Sequence, residues 1–204
     1  LGSLVTIDGL GAPGVAGWLL GPLLILVIRP AIVLPLSAGS LLSWGQRFFL
    51  AWFGVRGVGS LFYLAYAQRL LEDGKLADSD ELRLGMRDMI VDSSNDATSF
   101  ILDTITDAPN GSVLPPAEME QWSAKRNAVN RYFASLRYTI GGEHGINACQ
   151  KTYCEGPYGR ERIFFGPKFT NRNQLTTDAT ARLLAEIVTG RSVTADRSQQ
   201  MMKL

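Results

Sequence analysis

Four groups of residues have types and spacings that could do chemistry. Ser93-Ser94-Asn95-Asp96 sets hydroxyls, a carboxamide and a carboxylate between two runs of apolar residues at helical spacing. Such a polar break can cap the helix that follows, because its side-chain oxygens accept from the first amide groups. Arg56 is the single charge in the run from Phe48 to Ala67. An ionisable group at bilayer depth costs about 2.5–3.5 kcal/mol, so it faces a protein interior or a wet cavity. It either locks packing against an acid on another helix or lies beside an ion path. Arg160-Glu161-Arg162 reads as a solvated turn. His144, Cys149 and Cys154 offer three metal ligands, but their spacing fits no strong zinc pattern and a fourth ligand is missing. The two cysteines leave open a disulfide across a short loop or two unpaired thiols.

The elements that must position these groups are made of two materials. Of 20 basic and 19 acidic side chains in 204 residues, the first 68 residues hold only Asp8, Arg29, Arg47 and Arg56. The remainder carries 17 basic and 18 acidic groups, an ordinary globular balance. A formal net charge of +1 supplies no basic field, so nucleic acid is not an expected partner.

From Gly9 to Ile28 no residue is charged. At about 1.5 Å per residue, that run spans a hydrocarbon layer of roughly 30 Å. Arg29-Pro30 closes or kinks it, since proline disfavours a helical residue before it, and the apolar run resumes to Leu36. The second run, 48–67, contains Gly54, Gly57 and Gly59, which permit close helix approach. Membrane lipid is therefore the expected partner of residues 9–67. The expected location is a bacterial inner membrane, with the later part periplasmic or cytoplasmic. Arg29 and Arg47 flank one loop and assign it to the cytoplasmic side. No basic stretch precedes a short apolar core, so a cleavable signal peptide is not expected. Leu1 and the Lys203-Leu204 end read as cut.

Beyond Gln68 the periodicity predicts helices. One ends at Gly74; the next, capped around Asp78-Ser79-Asp80, carries Leu82, Met86, Met89 and Ile90. Another runs from Ala97 to about Thr106, and Asn110-Gly111 marks a turn. Pro115-Pro116 opens a helix to about Leu136 with Trp122, Val129, Tyr132 and Phe133 as its apolar members. Residues 141–175 read as a long ordered loop. Thr176-Thr177-Asp178 caps a helix with Leu183, Leu184, Ile187 and Val188 on one side, ending at Gly190, and Thr194 starts the last helix.

Gln46-Arg47-Phe48-Phe49-Leu50-Ala51-Trp52-Phe53-Gly54-Val55-Arg56-Gly57-Val58-Gly59-Ser60-Leu61, after Arg29-Pro30 and a short loop, resembles the last spans of monovalent cation:proton antiporters of the sodium–proton exchanger type. The resemblance implies that Arg56 is a transport-related charge partner near an ion path. The acidic exchange residues of that family lie on earlier helices that the sequence does not contain.

Met89-Ile90-Val91-Asp92-Ser93-Ser94-Asn95-Asp96-Ala97-Thr98 resembles the S-D-N loop of beta-lactamase-like (class A type) serine hydrolases. The later Leu175-to-Leu184 segment, Gly190 and the Arg197-to-Met202 helix resemble the part that follows the omega loop in that family. The resemblance implies that Ser93 relays protons and binds a substrate carboxylate, that Asn95 holds a substrate amide, and that Glu161 falls near an omega-loop base. It also implies a small acyl or amide substrate and no cofactor. Ser94 stands where the family has aspartate. The nucleophile motif S-x-x-K occurs nowhere; the family order puts Gly57 and Ser60 in its serine and lysine positions. Lys151-Thr152 lies too early to be the K-T-G strand, and Leu204 comes before the point where the family's late strand is expected.

The expected fold is mainly α: two transmembrane-like helices (1–60), then the helical part of a beta-lactamase-like α/β serine hydrolase domain (61–204). The leading functional reading is a partial serine hydrolase domain, without competence for acyl transfer, fused to an antiporter-like membrane segment. Two alternatives stand beside it: an antiporter fragment with a soluble tail, and a noncatalytic binding domain on a hydrolase scaffold.

Overall fold

The computed structural model of the chain describes Leu19, residues 23–36, Trp44, and residues 58–140, 143–151 and 156–204. The chain divides into two units, Leu1–Arg56 and Gly57–Leu204.

In the first unit a π-helical stretch, Leu24–Ile28, passes into helix α1, Arg29–Leu36. The change of helical geometry falls just before Pro30, the expected kink. Arg56, Arg47, Gly54 and Gly57 lie outside the described residues, as do residues 37–43.

The second unit is mainly helical. Helix α2 (Val58–Glu72) is followed by α3 (Asp80–Ile90), α4 (Asn95–Thr106), α5 (Pro116–Arg126) and α6 (Ala128–Ser135). Two short antiparallel pairs come next: β1 (Thr139–Ile140) with β2 (Glu143–His144), and β3 (Ile146–Asn147) with β4 (Gln174–Leu175). Helix α7 (Gly159–Phe165) lies within the β3–β4 connection, and α8 (Thr177–Val188) and α9 (Ala195–Met202) follow β4.

Helix α2 is the centre of the core. Phe62, Tyr63, Leu64, Ala65 and Ala67 are buried, as are the polar Ser60 and Gln68, so its middle is covered on every side. A helix apolar all round is either a membrane span or the inside of a protein. Here it is the second. Phe62 packs on Phe133 and Tyr138 with ring centroids 4.9 and 6.3 Å away, and Phe133 meets Tyr138 at 5.0 Å, all edge-on.

The described residues correct the membrane placement expected of this region; residues 9–18, 20–22 and 48–57 of the two expected spans lie outside them. Among the described residues no helix is long and apolar enough to cross a membrane. The described part of the second expected span, Val58–Ala67, belongs to α2, and its apolar side chains face other parts of the core. The described helices of the first region, Leu24–Ile28 and Arg29–Leu36, are 5 and 8 residues long. The bacterial inner-membrane location falls with these spans.

Local signals mark the helix ends. Gly74, at φ +66°, lets Lys75 N–H return to the Leu70 carbonyl at 2.9 Å and closes α2. Ser79, Ser94, Thr176 and Thr194 each accept a backbone amide at 3.1–3.2 Å and cap α3, α4, α8 and α9. The helix expected from Pro116 to Leu136 is interrupted at Asn127, which separates α5 from α6. Val188, expected on the buried side of α8, is 68% exposed, while Leu183 and Ile187 are buried.

Phe62 is fully buried among aromatic rings, so Phe62→Ala removes both transfer energy and packing. Urea denaturation is expected to show a loss of about 3–5 kcal/mol.

Candidate functional site

The turn between α3 and α4 is built around one unusual backbone. Ser93 adopts φ +51°, a left-handed conformation that is uncommon outside glycine. Ser94 N–H reaches back to the Asp88 carbonyl at 3.1 Å, and Ser94 Oγ then accepts from Ala97 N–H at 3.2 Å. Thr98 Oγ1 donates to the Ser94 carbonyl at 2.8 Å and tightens the first turn. Ser94 is thus the cap of α4, whereas Ser93 and Asn95 are exposed on either side of it. The turn thus places two exposed polar residues, Ser93 and Asn95, at the start of α4.

Glu161 has a different setting. It is fully buried and pairs with Arg126, itself fully buried. Arg126 Nη2 also donates to Asp103 Oδ1 at 2.8 Å, and Asp103 Oδ2 accepts from Lys151 Nζ at 2.8 Å. Four charges alternate in sign, Lys151, Asp103, Arg126 and Glu161, and tie α4, α5, α7 and the segment after β3 together. The guanidinium carbon lies 4.9 Å from the Trp122 ring centroid, and Trp122 meets Phe164 of α7 edge-on at 5.4 Å. Taking two ions out of water costs several kcal/mol each, which only such mutual pairing offsets.

Arg160-Glu161-Arg162 is therefore not the solvated turn its composition implied. Arg160 is bound to the carbonyls of Ser112 and Pro109, at 3.1 and 3.3 Å, and only Arg162 of the three is exposed. The start of α7 is held close: a Cβ at Gly159 would lie 1.9 Å from the Gly111 carbonyl oxygen, so that position needs glycine. Asp103, where the charge cluster meets α4, lies eight residues beyond Asn95, roughly 12 Å along the helix axis.

A third constellation joins α2 to the long connection. Asn173 Oδ1 accepts from Cys149 and Gln150 N–H at 3.0 and 2.9 Å, and Asn173 Nδ2 donates to Tyr63 Oη and the Gln150 carbonyl. Asn130 Nδ2 donates to Asn147 Oδ1 at 2.8 Å, and Asn147 Nδ2 donates to Asn171 Oδ1 at 3.0 Å. Cys149 is a buried free thiol whose Sγ donates to Asn147 Oδ1 at 2.8 Å. Burial pushes that thiol up to about 12 and raises the Tyr63 phenol above its ordinary range. Neither is an ionised nucleophile at neutral pH.

Cys154 lies outside the described residues, and no group of three His, Cys, Asp or Glu among the described residues is placed to hold a metal ion. Lys151, whose sequence neighbourhood resembled a Lys-Thr strand motif, is committed to Asp103. Sequence patterning missed Asp103, Arg126 and Lys151, because their pairing joins distant elements. The one local signal for the carboxamide network was Asn171-Arg172-Asn173 in an aperiodic stretch.

Two measurements test this geometry. Removing one partner of the buried pair, as in Glu161→Gln, is expected to cost about 3–5 kcal/mol, and Arg126→Met with Glu161→Leu together much less than their sum. For Cys149 the folded pKa lies above the unfolded value of 9.0, so the unfolded state alone loses the proton first. Its contribution is complete below about 9 and is lost as pH rises toward about 12. The stability difference between wild type and Cys149→Ala is therefore expected to shrink across that window in denaturation series.

No family model, no curated protein and no solved structure matches the chain.

Proposed function

We propose that residues 61–204 form the helical part of a beta-lactamase-like serine hydrolase scaffold that binds a small acyl or amide ligand at the α3–α4 turn and does not transfer an acyl group. The observation that carries the reading is the division of labour at that turn. Capping α4 needs one hydroxyl, and Ser94 supplies it. A second serine, Ser93, adopts φ +51° in the turn that closes α3, at a backbone cost of roughly 1–3 kcal/mol, and its hydroxyl is not the one that caps α4. A strained hydroxyl beside an exposed carboxamide matches the S-D-N roles that Ser93 and Asn95 take in the resemblance.

The absence of acyl transfer follows from the chemistry of the sequence. In the family it resembles, the serine nucleophile is activated by a lysine one helical turn on, and no S-x-x-K occurs in residues 1–204. In the family order, the lysine position of α2 is Ser60, which is buried. Glu161 belongs to the buried pair with Arg126, and in this reading it fastens α7 and is not a base.

Two arms test the proposal. Incubation with a penicillin and with an activated ester is expected to leave the intact mass unchanged; a covalent adduct on any serine sinks the noncatalytic reading. Penicillin-type amides are expected to raise the melting temperature saturably, and Ser93→Ala with Asn95→Ala to abolish that rise. An unchanged melting temperature in the wild type, or a rise that survives the double substitution, sinks the binding reading.

A further inference from the structure

Away from the Ser93 turn, an open groove of about 560 Å³ is lined by Tyr66, Arg69, Asp73, Lys75, Arg131 and Tyr132, among others. These residues come from the C-terminal half of α2, the turn after it, and α6. Two rings line it: the Tyr66 and Tyr132 centroids are 5.2 Å apart, and the planes are tilted by 44°. Burial raises both phenols above their ordinary range, with Arg131 acting against that at Tyr66 and Arg69 at Tyr132. Both therefore keep their protons at neutral pH and are available as O–H donors.

The charge on this groove is lopsided. Asp73 is shared by Arg69 at 2.9 Å and Lys75 at 3.3 Å. Arg131 has no acidic partner among the described residues; its Nη1 donates to the Ala124 carbonyl. Three bases face one acid. Cations at helix C-termini complement the helix dipole, but the carbonyls here are already occupied. Lys75 and Leu76 N–H bond the Leu70 carbonyl, Gly74 N–H bonds that of Leu71, and Tyr138 N–H bonds that of Phe133. Helix complementation also requires neither the paired rings nor the open volume.

We propose that this groove binds a small organic anion carrying a flat ring, with a phosphate monoester or a carboxylate as its charged end. The ring packs on Tyr66 and Tyr132 while the anion meets Arg131 and Lys75, with the phenol O–H groups as further donors. None of the groove residues belongs to the Ser93 turn, so this site and the acyl or amide site stand or fall separately.

The test titrates the full chain with adenosine monophosphate, phenyl phosphate, benzoate and inorganic phosphate, by calorimetry and by tyrosine-ring NMR shifts. At least one ring-bearing anion is expected to bind saturably, about fivefold or more tighter than inorganic phosphate, and more weakly as salt rises. Arg131→Gln, at an exposed position, is expected to weaken that binding about tenfold, and Lys75→Gln to act in the same direction. Preference for the phosphate esters or for benzoate identifies the source of the charge. No saturable binding of any ring-bearing anion, equal binding of inorganic phosphate, or unchanged affinity in Arg131→Gln overturns the proposal.

Discussion

The fold of residues 57–204 depends on hiding the middle of α2 from water. From Ser60 to Gln68 every position but Leu61 and Tyr66 is buried, and those two are half-buried. A single partner helix covers one stripe, so a helix buried on all sides needs several neighbours. α4, α6, α8 and α9 supply them, with Phe133, Leu183 and Met201 among the side chains they contribute to the same core. Each hydrophobic contact is small, but together they fix where the other helices lie and hence where their polar ends emerge. The exposed α3–α4 turn and the groove beside α6 are both set by that packing.

A second constraint acts on the connection between β3 and β4. Two residue pairs of antiparallel ladder cannot hold some twenty-five residues in place by themselves. Side chains do it instead. Arg126 and Glu161 anchor α7 from inside, Lys151 and Asp103 secure the segment after β3, and Asn173 joins both ends to Tyr63. The ionic part carries a desolvation cost and is committed to one geometry.

Much of the helical framework was legible because its signals are local. Ser79, Ser94, Thr176 and Thr194 cap the helices they precede, and Gly74 ends α2 by adopting a conformation that costs other residues energy. The misreading of residues 58–67 has an equally physical origin. Hydropathy reports that a segment avoids water, not whether lipid or protein replaces it, and the Val58–Ala67 portion is covered by protein. At the candidate site the same limit recurs. The polar break at Ser93–Asn95 is visible in one dimension, but the choice of Ser94 as cap depends on backbone angles. The burial of Glu161 depends on Arg126, thirty-five residues away, and no pattern around either residue announces it.

Asn173 makes a final point about how the long connection is attached. Its carboxamide uses the oxygen toward two amides and the nitrogen toward a phenol and a carbonyl. Asn130, Asn147 and Asn171 extend the same chemistry. A carboxamide presents donor and acceptor at once and carries no charge, so its links carry no cost of burying an ion. The neighbouring carboxylates and bases do carry that cost. The connection is thus held by two fasteners of different kinds, one made of neutral dipoles and one of paired charges.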